Sequence, residues 1–246
     1  MRQFLLFRLY GPLAAWGDVA VGETRPTADH PSKSAVLGLI AAAMGIRRDE
    51  EEKLGRLQTD FGFGVRVDAH GELLRDYHTA QVPPEKRKVK YYTRRDEIKS
   101  DGLYTILSSR DYRTDSCYSV VMWSKGADSI YPLAQIEQAL RQPQLPLYLG
   151  RKSCPISLPL NPKLSEAESL KAAFDGYSVD PENWIAPLLG KHQILNYYWE
   201  LLNEDEAGLK ASMRHSRRDQ FSSRKRWQFG EREEFFASEQ QRGQSQ

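Results

Sequence analysis

The hydrophobic positions of the first half of the chain change their spacing from segment to segment, and each spacing predicts a different element. A nearly continuous apolar run over residues 3–10, closed by Gly11-Pro12, predicts a buried first strand. Apolar residues then recur at helical spacing over residues 34–44, which predicts a helix capped by Ser32 or Ser34. A short acidic helix is expected over about residues 49–57.

Further strands are expected in the middle of the chain. Residues 61–67 alternate between apolar and other residues, which predicts a strand with one face in a core, and residues 73–79 could pair with it as a hairpin through residues 69–71. Residues 117–123 predict a buried strand, and residues 132–140 predict an amphipathic helix that starts with Pro132. Residues 156–160 would supply the last strand.

The predicted order is β-α-β-β-α-β, which is the ferredoxin-like order of the RNA-recognition (RRM-like) modules. The predicted fold class is therefore α+β, with this domain over residues 1–160 and a protruding basic arm at about residues 81–114. A smaller, β-rich C-terminal unit is expected over residues 161–237, followed by a polar tail, residues 238–246, that should be disordered. A fold by itself does not define a function.

The net charge of +2 conceals a strong segregation of charge along the chain. Residues 86–95 contain six Lys or Arg and no acid, residues 166–206 are strongly acidic, and residues 210–232 are again mainly basic. This pattern favours one surface that faces a polyanion and another that faces a protein. Ordinary solvated charge is the alternative interpretation.

The composition argues against several classes of protein. The longest apolar stretch is too short to span a membrane, and no secretory signal is evident, so a cytoplasmic protein is expected. The two cysteines have no spacing typical of zinc sites or disulfide frameworks, so neither a metal nor a cofactor is expected. The five histidines belong to no catalytic motif, although His78 or His30 could serve a metal-independent ribonuclease with a nearby Tyr or Lys.

Two loops contain residue types that suit phosphate binding. The loop before the first predicted helix offers Arg25, Lys33 and Ser34 beside the backbone N–H groups of the helix start, which favour anions, although many helices begin in this way without a ligand. Residues 148–155 offer Gly150 for close backbone approach, with cations, a serine and a tyrosine beside it. A basic turn between a helix and a strand is the alternative interpretation of the second loop.

Two further segments interleave cations with aromatic residues. In residues 86–113, cations could follow phosphates while tyrosines stack on unpaired bases, although a flexible solvated loop would have the same composition. Residues 221–229 repeat the pattern around Arg224, where the tryptophan could equally pack beneath the stems of its basic neighbours.

Several short motifs, in order, resemble the CasD family, which are RAMP-superfamily subunits of the type I-E CRISPR complex Cascade. They are FLLFRL at residues 4–9, GPLAAWG at 11–17, TRPT at 24–27, PSKS at 31–34, RDYHT at 75–79 and YLGRKSCP at 148–155. The resemblance covers about residues 1–160 and is weaker beyond.

The resemblance implies an RRM-like RAMP domain with a thumb-like arm that grips the repeat-derived 5′ handle of the CRISPR RNA (crRNA) in antiviral defence. It implies no cleavage, because in this subtype a separate endoribonuclease matures the RNA, whereas in a related subtype the family member is itself the nuclease. The implied partners are the crRNA, the backbone subunit CasC and the large subunit CasA, with target DNA met only within the complex and no membrane. The acidic C-terminal segment is a candidate surface for CasA.

The predicted RNA-binding residues combine the two loops, the arm and the C-terminal basic segment. Arg110 matches an arginine in the thumb of the family. No catalytic residue is predicted. The full set is Trp16, Gly17, Arg25, Lys33, Ser34, Arg75, His78, Arg94, Arg95, Arg110, Tyr148, Gly150, Arg151, Lys152, Ser153 and Arg224.

Overall fold

The structure of the protein, a computed structural model, describes residues 1–85, 89–126, 129–189, 194–223, 226 and 228–240. Its strands are β1 (Arg2–Tyr10), β2 (Leu13–Ala14), β3 (Thr24–Arg25), β4 (Phe61–Ala69), β5 (Glu72–Val82), β6 (Tyr104–Thr114), β7 (Cys117–Ser124), β8 (Lys163–Ala167), β9 (Ile194–Trp199), β10 (Met213–Ser223) and β11 (Gln228–Gln240). Its helices are α1 (Lys33–Ala43), α2 (Glu51–Asp60), α3 (Arg94–Ile98), α4 (Leu133–Arg141), α5 (Leu170–Asp175), α6 (Ala186–Leu189) and α7 (Glu204–Ala207). The predicted α+β class is confirmed as far as the chain combines helices with mainly antiparallel sheets.

The main sheet is antiparallel and has seven strands in the order β10-β11-β9-β4-β7-β1-β8. One face packs against α1, α2 and α4 through residues such as Phe7 and Ile40. The other face packs against α5 through residues such as Phe4 and Phe174. The core therefore has two layers, one on each side of the sheet.

Strand β4 is buried along its whole length, so the prediction that only one of its faces lies in a core is wrong. Gly62 and Gly64 occupy the positions that alternate with the apolar residues. They do not face solvent, because a Cβ at Gly62 would overlap the ring of Trp123. Small residues at these positions leave room for the second core layer.

Strands β5 and β6 form a long hairpin in a second, four-stranded sheet with β2 and β3. The β5–β6 ladder runs without a bulge through eleven residue pairs, from Glu72 opposite Thr114 to Val82 opposite Tyr104. We call residues 72–114 the hairpin arm. The prediction that residues 73–79 pair with residues 61–67 is wrong, because β4 and β5 belong to different sheets.

The predicted last strand at residues 156–160 is also wrong. Residues 163–167 form β8 instead and pair with β1 from Arg2 to Leu6. Pro155 and Pro159 have no backbone N–H to give to a ladder, which disfavours a regular strand between them. The segment keeps two backbone hydrogen bonds with β1: the N–H of Arg8 donates to the carbonyl of Leu160 at 2.8 Å, and the N–H of Ser157 donates to the carbonyl of Tyr10 at 3.1 Å.

The last three strands continue the main sheet. Strand β9 pairs with β4 on one side and with β11 on the other, and β10 completes the edge. Strands from both sides of residue 160 are therefore hydrogen-bonded in one sheet, and the division into two domains there stays a prediction. Residues 238–240 lie in β11, so the prediction of disorder is wrong for them, while residues 241–246 lie outside the described part of the chain.

Candidate nucleic-acid interface

The start of helix α1 is occupied by groups of the protein itself. Ser32 caps the helix, and its Oγ accepts a hydrogen bond from the backbone N–H of Ala35 at 3.2 Å. The backbone N–H of Lys33 donates to Oδ2 of Asp219 on β10 at 2.8 Å. The hydroxyl of Ser34 lies 3.2 Å from that of Ser32. A carboxylate therefore already holds the position that the sequence suggests for a phosphate.

The side chain of Lys33 points into the protein and is 3% exposed. Its ammonium donates to the carbonyl of Phe61 at 3.0 Å and pairs with the carboxylate of Glu200. Burial lowers the pKa of Lys33 to about 8, although Glu200 opposes this effect. The prediction that Lys33 binds phosphate is wrong, because Asp219 and Glu200, which come much later in the sequence, hold it inside the protein.

Lys33 belongs to a buried charge network that joins α1 and the preceding loop to the C-terminal strands. Arg232 donates to Asp219 at 2.6 and 2.9 Å and to Glu234 at 2.5 Å. Glu234, which is fully buried, also accepts from His30 and His215, each at 3.1 Å. The members of the network are Asp29, His30, Lys33, Glu200, His215, Arg217, Asp219, Arg232 and Glu234.

The network keeps the buried carboxylate of Glu234 ionised. Burial alone would raise the pKa of Glu234, but the hydrogen bond from His30 and the charge of Arg232 outweigh it and hold that pKa well below its usual range. His30 is 4% exposed and stacks on Tyr198 with ring centroids 3.6 Å apart. This histidine is therefore closed off from an RNA backbone in this structure.

Trp16 is also a core residue. Its ring is 2% exposed and meets Tyr118 edge to face, with centroids 5.5 Å apart. Its backbone N–H donates to Oγ1 of Thr27 at 2.8 Å, and Gly17 forms a bridge with the same threonine. The structure therefore contradicts the placing of Trp16 among the RNA-binding residues, whereas Gly17 lies exposed at the surface.

The turn at residues 148–155, which we call the glycine turn, is fixed against the loop that follows β1. The carbonyl of Leu149 accepts from the backbone N–H of Ala15 at 3.0 Å. Gly150 has a φ of +82°, and a Cβ there would overlap the carbonyl oxygen of Ala15. Only glycine combines this backbone conformation with so close an approach.

Arg151 joins the glycine turn to two other segments. Its guanidinium donates to the carbonyls of Asp111 in β6 and Arg25 in β3, each at 3.0 Å. The guanidinium carbon lies 4.7 Å from the centroid of the ring of Tyr112. The turn, the loop and the base of the hairpin arm therefore meet at one side chain.

This junction brings together several of the predicted RNA-binding cations. Arg25 is aligned with Arg110 in the parallel β3–β6 ladder, and both are exposed. Lys152 and Ser153 are exposed in the glycine turn beside the half-buried Arg151. We call Arg25, Arg110, Arg151 and Lys152 the cation cluster. Its members come from three segments that are remote in sequence.

The predicted residues of the hairpin arm are partly neutralised by acids of the arm. Arg75 donates to both carboxylate oxygens of Asp111, at 2.8 and 3.0 Å, and these hydrogen bonds hold the pKa of Asp111 below its usual range. His78 lies 2.5 Å from a carboxylate oxygen of Asp76. Arg94 pairs with Glu97 at 2.7 Å. Arg95 is exposed in α3.

Arg75 borders the cation cluster through Asp111, whereas the other predicted arm residues lie farther along the arm. His78 is opposite Ser108, beyond Arg110 in the ladder, and Arg94 lies near the carbonyl of Gln81. The two long strands of the arm also expose large side chains on both of their faces. These are Leu73, Leu74, Tyr77, Tyr104, Ile106 and Leu107, of which the sequence had singled out only the tyrosine at 104, as a base-stacking residue.

Sequence reasoning missed Asp111, whose role depends on tertiary contacts. Tyr112 is one of the arm tyrosines expected to stack on bases, but it is 6% exposed and lies beneath the guanidinium of Arg151. Arg224 lies outside the described residues, as do the basic residues 86–88. Among the residues that the structure describes, no group of His, Cys, Asp and Glu is arranged to hold a metal ion. In the same part of the chain, no helix is long and apolar enough to cross a membrane.

Comparisons with known proteins point in one direction. The model of the family described as CRISPR-associated protein (Cas_Cas5) matches residues 4–234. The CRISPR system Cascade subunit CasD of Escherichia coli (strain K12) is 35% identical over 171 residues, which cover 65% of this chain and 70% of the relative. A solved chain of a CRISPR RNA-guided surveillance complex is 25% identical, with a TM-score of 0.63 over 96% of this chain and 90% of its own. A crystal structure of a Cas protein is 27% identical, with a TM-score of 0.60 over 97% and 94%.

Proposed function

Because the chain belongs to the Cas5 family of CRISPR-associated proteins, we propose that it is a Cascade subunit that binds the 5′ handle of the crRNA and does not cut it. The relative from E. coli is a subunit of Cascade, and one similar structure comes from an RNA-guided surveillance complex. The order β8-β1-β7-β4 within the main sheet supports a ferredoxin-like RAMP core, since it is the order in which a βαββαβ unit arranges its four strands.

The cation cluster is the observation that carries the proposal. Arg25, Arg110 and Lys152 are exposed cations on a rigid support, because Arg151 ties their three segments together. Such fixed cations neutralise successive phosphates and set the position of a strand without reading its sequence. Gly150 permits the close contact with Ala15 that holds the glycine turn, and with it Arg151 and Lys152, in place. The site is therefore a static clamp for a short unpaired RNA.

The remaining surfaces suit protein partners. The hairpin arm exposes apolar and aromatic side chains on both faces, which fits contact with a backbone subunit of the CasC type beside the RNA. The acidic segment at residues 166–206 is proposed to face the large subunit CasA. Target DNA would reach the chain only within the assembled complex.

A binding experiment tests the proposed RNA site. The double variant Arg151→Ala/Lys152→Ala should bind handle RNA more weakly than the wild type, and its log affinity should depend less steeply on log salt, by about 1 for each phosphate that is no longer neutralised. Fluorescence anisotropy over a salt series measures both quantities. Lys163→Ala/Lys210→Ala removes the same charge from exposed sites elsewhere and should keep the wild-type slope. Equal slopes for wild type and the Arg151/Lys152 variant would refute the site.

A cleavage assay tests the claim that the chain does not cut RNA. Purified protein incubated with repeat RNA in EDTA should give no site-specific product. A clean cut at the 5′ boundary of the handle would instead establish a metal-independent endoribonuclease. His78 would then be the first residue to replace, since His30 is buried.

A further inference from the structure

Strand β5 forms one edge of the four-stranded sheet. It pairs with β6 through eleven residues, and within the described part of the chain no strand pairs with its other side. Nearly all of its side chains are exposed, including Leu73, Leu74 and Tyr77. An edge strand offers a row of unpaired backbone N–H and C=O groups, and a long edge with apolar side chains readily pairs with another strand. A second extended strand therefore fits this edge.

The sequence of β5 is complementary to itself when two copies run antiparallel. A two-fold axis at Tyr77 places Asp76 of one copy opposite His78 of the other, and it places Leu74 opposite Ala80. The carboxylate and the imidazole already pair within one chain at 2.5 Å, so they are compatible neighbours. On the other face of the strand the two Tyr77 side chains meet at the axis, and aromatic pairs of this kind stabilise antiparallel strands.

The neighbouring registers are less favourable. An axis one residue earlier places Asp76 opposite itself, and an axis two residues earlier places Arg75 opposite itself. Like charges directly opposite each other destabilise a pair of strands. An axis one residue later places His78 opposite itself and leaves Asp76 opposite Ala80, so the complementary pairs are lost. The charges of β5 therefore favour one register, with a second copy of the same strand as the partner.

We propose that two copies of the free chain form a dimer by pairing their β5 strands antiparallel about a two-fold axis at Tyr77. The pairing uses residues 74–80 of each copy and leaves Gln81 out, because the side chain of Arg94 already donates to its carbonyl. It joins the two hairpin arms into one continuous sheet and covers both exposed edges. The same arm is proposed to contact a backbone subunit, so assembly with that subunit separates the two copies. The dimer involves no RNA and does not depend on the proposed function.

Disulfide cross-linking of the full chain, free of RNA, tests the register. In the dimer the Cα atoms of the two Tyr77 residues lie about 4.5–5.5 Å apart, which is within the range that a disulfide spans. Tyr77→Cys should therefore give a covalent dimer on mild oxidation. Thr79→Cys is the matched control on the same face, because its two copies lie more than about 13 Å apart and should not cross-link. The native Cys117 and Cys154 are buried and should not react.

Light scattering over a concentration series tests the complementarity. The wild type should change from the mass of one chain to that of two as its concentration rises. His78→Asp places carboxylates opposite each other at two symmetric positions, so the dissociation constant of the dimer should rise about tenfold. The exchange variant Asp76→His/His78→Asp restores the opposite pairs and should recover the wild-type value. A wild type that is monomeric at every concentration, equal cross-linking of Tyr77→Cys and Thr79→Cys, or no recovery in the exchange variant would overturn the proposal.

Discussion

The buried charge network and the cation cluster use the same kinds of side chain for opposite purposes. In the network, Arg232 and Lys33 are almost completely enclosed and bonded to carboxylates. In the cluster, Arg110 and Lys152 are exposed to solvent. The side chains of the network hold segments of the protein together, whereas those of the cluster are available to a polyanion. The chemical type of a residue thus says less about its role than whether another part of the chain covers it.

The energetic consequences of the two arrangements differ as well. Removing one member of a buried ion pair leaves the other member enclosed without compensation, which is costly to stability. Removing an exposed cation changes stability little, but it removes attraction for phosphates. Substitutions in the network should therefore act on folding, and substitutions in the cluster should act on RNA affinity.

The largest expected effect comes from Glu234→Gln in the buried network. The variant leaves Arg217 and Arg232 without their shared carboxylate, so the free energy of unfolding should fall by about 3–5 kcal/mol. Urea denaturation followed by circular dichroism measures this loss. Glu233→Gln is the matched control on the same strand, because Glu233 is exposed and pairs with Arg214 only at the surface; its cost should stay below about 1 kcal/mol. If the free energy of unfolding fell by similar amounts in the two variants, the buried network would stabilise the protein no more than a surface ion pair does.

A second prediction concerns the stability of the protein at acidic pH. The low folded-state pKa of Glu234 contributes stability that is complete above its ordinary pKa of 4.5 and is lost as the pH falls toward the lower folded-state value. The free energy of unfolding of the wild type should therefore decrease below about pH 4.5. Glu234→Gln should show a shallower decrease, and Glu233→Gln should follow the wild type. A Glu234→Gln curve parallel to that of the wild type would contradict the pairing seen in the network.

The prediction with the smallest expected change in free energy compares an exposed cation, Arg110, with a buried one, Lys33. Arg110→Ala should weaken handle RNA binding by about fivefold and lower the salt slope by about 1, because it removes one phosphate contact. Lys33→Met should leave the slope unchanged even though it lowers stability, because its ammonium is bonded to Glu200. Anisotropy titrations, at a temperature where circular dichroism shows both variants folded, measure the difference. A reduced slope for Lys33→Met would mean that the lysine reaches the RNA after all.

The spacing of hydrophobic residues was enough to predict several of the strands and helices. The spans of β1, α1, β7 and α4 agree with their apolar periodicity, and the resemblance to CasD is confirmed by the family match and the E. coli relative. The pairing of β5 could not be read in this way. A strand of an outer hairpin and a strand of the main sheet can have the same alternation of apolar and polar residues. The sequence of β5 alone therefore does not determine which strand it pairs with.

The candidate site was predicted in part. The residue types of the glycine turn were informative, and the structure places Arg151 at the junction with Arg25 and the arm. Lys33 was misassigned because the sequence near it resembles an anion site, while the carboxylate that occupies that position is Asp219. Trp16 was misassigned because it was taken from a motif of the resemblance, whereas its ring packs against Tyr118 in the core. In both cases the deciding contact is made by a residue outside the local motif.

The separation in sequence between α1 and its partners has a consequence for synthesis on the ribosome. The bond from Lys33 to Asp219 spans 186 residues, and the one from His30 to Glu234 spans 204. Translation proceeds at about 5–20 residues per second, so the N-terminal segment waits on the order of ten seconds or more for the strands that cover it. The nascent chain must keep this helix start hydrated during that time. Its native enclosure is completed only when the final strands leave the exit tunnel.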